Sequence, residues 1–274
     1  MALYDPQEHR SLAFRYGADP GVICQLYAAN VLWLLGYPDQ ALPRIQAALT
    51  LAHELAHAFS LAFALNHATN LYQFRREGQA TQERAEASIA FSTEQRFAQW
   101  FAQGMILRGW ALAEQGQGAE GIAQLREGLA AWRATGAELD RPRFLALLAE
   151  AVGKGGSTEE GLSLLAEALV AVQRSGERRW EAELYRLKGE LLLVRSVENH
   201  PDAEACFRQA LDIARHQQAK SLELRAAVNL SRLWQRQGKH DEARDLLAPI
   251  YGWFTEGFDT ADLREAKALL EELG

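Results

Sequence analysis

Apolar and small residues return along this chain about every forty residues. From Ala41 the order small, bulky, small, bulky falls at offsets 0, +4, +7 and +8, as Ala41, Ile45, Ala48 and Leu49. The same offsets give Gly121, Leu125, Gly128 and Leu129, then Gly161, Leu165, Ala168 and Leu169, then Ala203, Phe207, Ala210 and Leu211. Thr81, Ala85, Ser88 and Ile89 form a copy in which Ala85 stands where the first bulky residue belongs. Ala243, Leu247, Ile250 and Tyr251 form a close variant. These offsets mark one face of a helix.

A second small residue sits twelve positions upstream of each anchor, at Ala29, Thr69, Gly109, Ala149 and Ser231. In the fifth copy it is Gly189, fourteen back, because the SVENHPD loop is longer. Small residues on both stretches predict two helices in close contact. The chain therefore reads as all-α: an α-α superhelix, a single solenoid of about six helix pairs with a C-terminal capping helix. The copies run over about 20–58, 59–98, 99–138, 139–176, 177–219 and 220–254. Residues 255–274 form the polar-backed cap, with Ala266, Leu269, Leu270 and Leu273 on its apolar stripe. Residues 1–19 hold a remnant of a preceding element, with one helix expected over 7–16. Pro20, Pro38, Pro142 and Pro201 stand at helix starts, where the missing N–H costs nothing. Ser157 to Glu160 reads as a capping box. Pro249 predicts a kink or a shortened helix.

ALPRIQAAL, GLSLLAEAL and AEACFRQAL resemble the tetratricopeptide repeat (TPR), lengthened from its usual period of about 34 residues. Through YGADPGV, LWLLGYPDQAL, RGWALAEQGQG, AELYRLKGELLL and YGWFTEGFDTADLREAKALLEEL, nearly the whole chain resembles the C-terminal helical-repeat region of large bacterial signalling proteins. Those join a class III adenylate or guanylate cyclase domain, or a DNA-binding domain, to an AAA-like/STAND ATPase and then to such repeats. The resemblance implies catalytic domains upstream and a non-catalytic docking or sensing role here.

Composition narrows the partners. The net charge of −7 comes without a long basic cluster, which argues against nucleic acid. No apolar run approaches the length of about 18 residues that a membrane span needs. The charged start MALYDPQEHRSLAF does not resemble a signal peptide. Cys24 and Cys206, far apart, make no disulfide framework; they fit a reducing cytoplasm and packing positions in helices.

Two motifs suggest chemistry that their setting opposes. His53-Glu54-Leu55-Ala56-His57 matches H-E-x-x-H, a zinc-protease signature. A zinc site needs a third ligand, yet His67 lies ten residues past His57, and the register ends the helix within the motif. GKGGST at 153–158 lacks phosphate-loop spacing and falls in a turn between helices. The chain is therefore expected to be no enzyme and to hold no cofactor or metal.

In TPR arrays the first helix of each pair lines the concave groove. Eleven residues before each anchor lie Asn30, Asn70, Trp110, Glu150 and Arg232, with Glu190 in the longer copy. Trp33, Asn66, Gln73, Glu114, Arg143, Lys154, Arg186, Arg225 and Arg236 share that face. Its N-terminal half is amide and aromatic, its C-terminal half mixed charge. Asparagines suit a peptide backbone, since each offers a donor and an acceptor. A protein or peptide partner is expected, with a small-molecule inducer as the alternative and solvated groove residues as the plain reading.

Overall fold

A computed structural model describes residues 4–9 and 11–274, and among them no strand occurs. The chain divides into two compact units.

The first unit takes in the described residues up to Trp33, and Tyr37–Ala137. It holds α1 (Pro6–His9), α2 (Leu12–Tyr16), α3 (Pro20–Leu34), α4 (Pro38–Leu55), α5 (Ala58–Phe74), α6 (Gly78–Glu94), α7 (Ala98–Glu114) and α8 (Gly118–Ala134). The second takes in Leu34–Gly36 and Glu138–Gly274. Its helices are α9 (Arg141–Lys154), α10 (Thr158–Ser175), α11 (Glu181–Arg195), α12 (His200–His216), α13 (Lys220–Arg236), α14 (His240–Tyr251) and α15 (Ala261–Leu273). A short 3-10 turn, Val197–Asn199, precedes α12.

The fold class is that of an α-α solenoid made of helix pairs, α3/α4 through α13/α14, followed by α15. The anchors are its core: Ala41, Thr81, Ala203 and Ala243 are fully buried, as are Leu125, Leu165, Phe207 and Leu247 four residues on. Burying each such leucine contributes about 1.5–3 kcal/mol. The small residues let backbones touch. A Cβ added to Gly121 on α8 would stand 2.5 Å from the Gly109 carbonyl oxygen on α7.

Helix length is set by a backbone device of half the repeat period. Gly36, Ala56, Arg76, Arg96, Gly116, Gly136, Gly156 and Gly176 all take positive φ, twenty residues apart. A left-handed residue closes a helix by turning its last carbonyls onto the following N–H groups. The series breaks at Ser196, which is extended, and resumes at Gln218 and Gly238 after the longer loop.

Several local expectations are corrected. The single helix over 7–16 is two short ones, α1 and α2, with Arg10 outside the described residues. Ser157 occupies the N-cap of α10 without a side-chain cap hydrogen bond, so the box is not closed by its serine. The shortened helix expected at Pro249 is present: α14 has 12 residues, against 17 in α12. Pro43 lies inside α4, a position the sequence reading passed over. Cys206 is packed in the core, but Cys24 is exposed, because no described helix covers its side of α3.

Candidate functional site

The H-E-x-x-H stretch does not form one helical face. His53 sits in the last turn of α4, Ala56 takes φ +48°, and His57 caps the next helix. His57 accepts from the Ser60 backbone N–H, its Nδ1 lies 2.9 Å from Ser60 Oγ, and its ring meets Phe14 edge-on at 5.2 Å. Two histidines on different helices cannot share a metal in the manner of that motif. GKGGST likewise spans the end of α9, the turn at Gly155 and Gly156, and the N-cap of α10.

The first helices of successive pairs lie side by side within each unit: α5 against α7, and α9, α11, α13 and α15 in order. In the first unit this face carries a layer of amides beneath a row of aromatic rings. Asn30, Trp33, Asn66, Asn70, Gln73 and Trp110 are all buried, and Glu114 is half-buried. Asn30 Nδ2 lies 3.1 Å from His67 Nδ1, joining α3 to α5. Gln103 donates to Asn70 at 3.1 Å, joining α7 to α5. Asn66 donates to Ser88 Oγ at 2.8 Å and to the Ala62 carbonyl at 3.1 Å. Asn30 Oδ1, Asn66 Oδ1 and Trp110 Nε1 have no hydrogen-bond partner among the described residues. Unmet buried polar atoms cost about 1–3 kcal/mol each.

The rings form an unbroken series. Tyr27 is 46% exposed and stands 5.7 Å from His67 and 6.4 Å from Phe63. Phe63 continues to His67 at 4.4 Å and to Trp100 at 5.2 Å. Trp100 meets Phe59 at 5.7 Å, and Phe59 meets Phe97 at 5.5 Å. Sequence reasoning missed this row. Only Tyr27 and His67 stand one repeat apart; forty residues after Phe63 stands Gln103, so the row follows no full column of the repeat.

In the second unit the equivalent face is a charge network. Buried Arg186 donates twice to Glu183 at 2.8 Å, pairs with Glu190 at 2.8 Å and donates to Asn229 at 3.2 Å. Asn229 donates to Glu190 at 2.6 Å. Arg225 pairs with Asp262 at 2.8 Å, Arg232 with Glu265 at 2.8 Å, and Lys154 with Glu150 at 2.9 Å. Burial alone would lower the Arg186 pKa, but Glu183 and Glu190 raise it well above the ordinary arginine value. Burial pushes the Glu150 carboxyl up, and Lys154 with Arg186 overcomes that to hold it below the usual range. Arg143 is buried against the Trp180 ring at 5.4 Å, and desolvation brings its pKa down to about 10. Arg236 and Lys154 are exposed.

No protein-family model matches the chain. An uncharacterized protein of Rhizobium meliloti (strain 1021) is 27% identical over 234 residues, which is 85% of this chain and 23% of that protein. Among solved structures, a Rap protein complexed with competence and sporulation factor is 10% identical over 92% of this chain and 74% of its own, with TM-score 0.64. Aspartyl phosphate phosphatase F of Bacillus subtilis is 11% identical over 84% of this chain and 58% of its own, with TM-score 0.61. At such identities the likeness is one of fold, the TPR-like stacking of helix pairs.

Proposed function

We propose that this chain is a non-catalytic docking array that takes a peptide or protein segment on the first-helix face of the unit ending at Ala137. The observation that carries the reading is the ring series that runs from exposed Tyr27 through half-buried His67 and Phe63. Surface rings in contact with one another suit an apolar or aromatic anchor side chain. Behind them, Asn30 holds the His67 ring, and Asn30 Oδ1, Asn66 Oδ1 and Trp110 Nε1 have hydrogen-bonding capacity unmet among the described residues. The Rap protein of similar fold was solved with its factor bound, which agrees with this reading.

The finer proposal is that the array is the docking or sensing arm of a larger signalling ATPase or cyclase. In support, the relative from Rhizobium meliloti devotes only 23% of its length to the matched region.

The test is selection of binders from a displayed random-peptide library on the purified chain, followed by calorimetry. Tyr27→Ala with Phe63→Ala is expected to keep its helical circular dichroism and weaken the selected peptides by roughly tenfold or more. Glu190→Gln is expected to change affinity little. Equal affinity in the ring variant, or no enrichment at all, would remove this face from consideration.

A further inference from the structure

The two helices that begin the ring row carry no charge. Neither α3, of 15 residues, nor α5, of 17, contains Asp, Glu, Lys or Arg, although such residues make up 24% of the chain. The gap is local: α13, also of 17 residues, holds Lys220, Glu223, Arg225, Arg232 and Arg236. On α7 the charged residues are Arg108, paired with Glu86 of α6 at 3.0 Å, and Glu114 at the helix end.

The layer beneath the rings is neutral as well. Asn66 donates to Ser88, and Gln103 to Asn70. With Nδ1 3.1 Å from Asn30 Nδ2, a neutral His67 ring accepts that amide hydrogen and adds no charge. The buried charges of this unit, among the described residues, are Asp19 and Arg75, and both stand at helix ends. Asp19 precedes α3 and accepts from the Tyr4 hydroxyl and the Gly21 N–H, each at 2.8 Å. Arg75 follows α5 and is held by Glu77 at 2.5 Å and the Pro38 carbonyl at 3.1 Å. The outer side of α3 continues the pattern: Tyr27 is 46% exposed, and Val31, one turn on, is 50% exposed.

An ionised side chain laid on such a surface gives up water without gaining a counter-charge. A ring or an aliphatic chain gains contact with Tyr27, Phe63 and His67. We infer that the row selects an uncharged segment: a stretch of peptide with an aromatic or aliphatic anchor, and without Asp, Glu, Lys or Arg in the residues that lie over α3 and α5. It rests on the docking reading of this face and says which partners the face accepts and which it refuses.

The probes are a displayed random-peptide library and end-blocked synthetic peptides of the enriched sequences, at about pH 8, where an ordinary imidazole is neutral. Binders that weaken in Tyr27→Ala with Phe63→Ala are expected to be depleted in charged residues around the anchor. Lys or Glu at the anchor is expected to weaken binding by roughly tenfold or more beyond the loss that Gln causes there. A tenfold rise in ionic strength is expected to change affinity by less than about twofold, because no ion pair is present to screen. Val31→Glu sets a carboxylate one turn from Tyr27 and is expected to tighten the Lys-substituted peptide by about twofold to fivefold. Ring-dependent binders enriched in charge, or an affinity that falls steeply with salt, would overturn the inference and leave the docking face standing. Binders indifferent to the ring variant, or no enrichment, would remove both. Self-association of the chain that Tyr27→Ala abolishes and peptide competes away would put a second copy on this face and overturn the inference too.

Discussion

The two units use the same helix pairing and the same small-bulky anchors, yet their first-helix faces are built from opposite chemistry. Up to Ala137 the face is amide and aromatic, with neutral hydrogen bonds such as Gln103 to Asn70. Beyond Glu138 it is ionic, with Arg186 held by two carboxylates and an amide. A solenoid leaves this face free to vary, because the core contacts lie on the opposite side of each first helix. The neutral face leaves Tyr27 exposed and Phe63 and His67 half-buried. The ionic face satisfies its own charges and has less left for a partner.

The sharpest test of that difference is Arg186→Met. It removes the buried counter-charge of Glu190 and leaves Glu183 only the more distant Arg225, at 3.6 Å, and we expect a loss of about 3 kcal/mol in chemical denaturation. Asn70→Ala removes a neutral bond and is expected to cost about 1 kcal/mol. Equal losses would erase the distinction between the faces.

Packing gives a smaller contrast. Gly121→Ala in the first unit drives a methyl group into the backbone of α7 and is expected to cost about 2 kcal/mol. At Gly153 in the second unit the added methyl meets only the tip of Leu191, which can turn aside. There the helix-propensity gain of about 1 kcal/mol roughly offsets the clash. Melting curves of the two variants decide it, and a Gly153→Ala loss as large as that of Gly121→Ala would show that Leu191 cannot move.

The smallest effect concerns pH. Glu150 has a lowered pKa in the fold, so its contribution is present above the ordinary carboxylate range, about 4.3, and is lost as pH falls through the folded value. Glu150→Gln is therefore expected to lower the melting temperature at pH 7 and to have a progressively smaller effect as pH falls below the ordinary carboxylate range. An effect undiminished at low pH would show that Glu150 contributes through packing.

Much of the fold was legible because a helix pair announces itself locally. Ala41, Gly121 and Ala203 mark contacts between helices adjacent in sequence, and Pro20, Pro38 and Pro201 mark their starts. The candidate site was less legible. Asn30, Asn70 and Trp110, read as groove-facing, are buried, while exposed Tyr27 and half-buried Phe63 and His67 lie nearer solvent. Cys24 was read as a packing position because it falls within a helix, and it is exposed.

The sequence by itself determined the helices, their pairing and the chemical character of each first-helix face, since those depend on periodicity and residue type within about forty positions. Only the tertiary structure decided which side chains reach solvent and which ions pair. Burial depends on the neighbouring pair as well as on a residue's own helix. Arg186 finds Asn229 across a gap of 43 residues that includes the longer loop, and Arg225 finds Asp262 across 37, distances that no local pattern converts into contact.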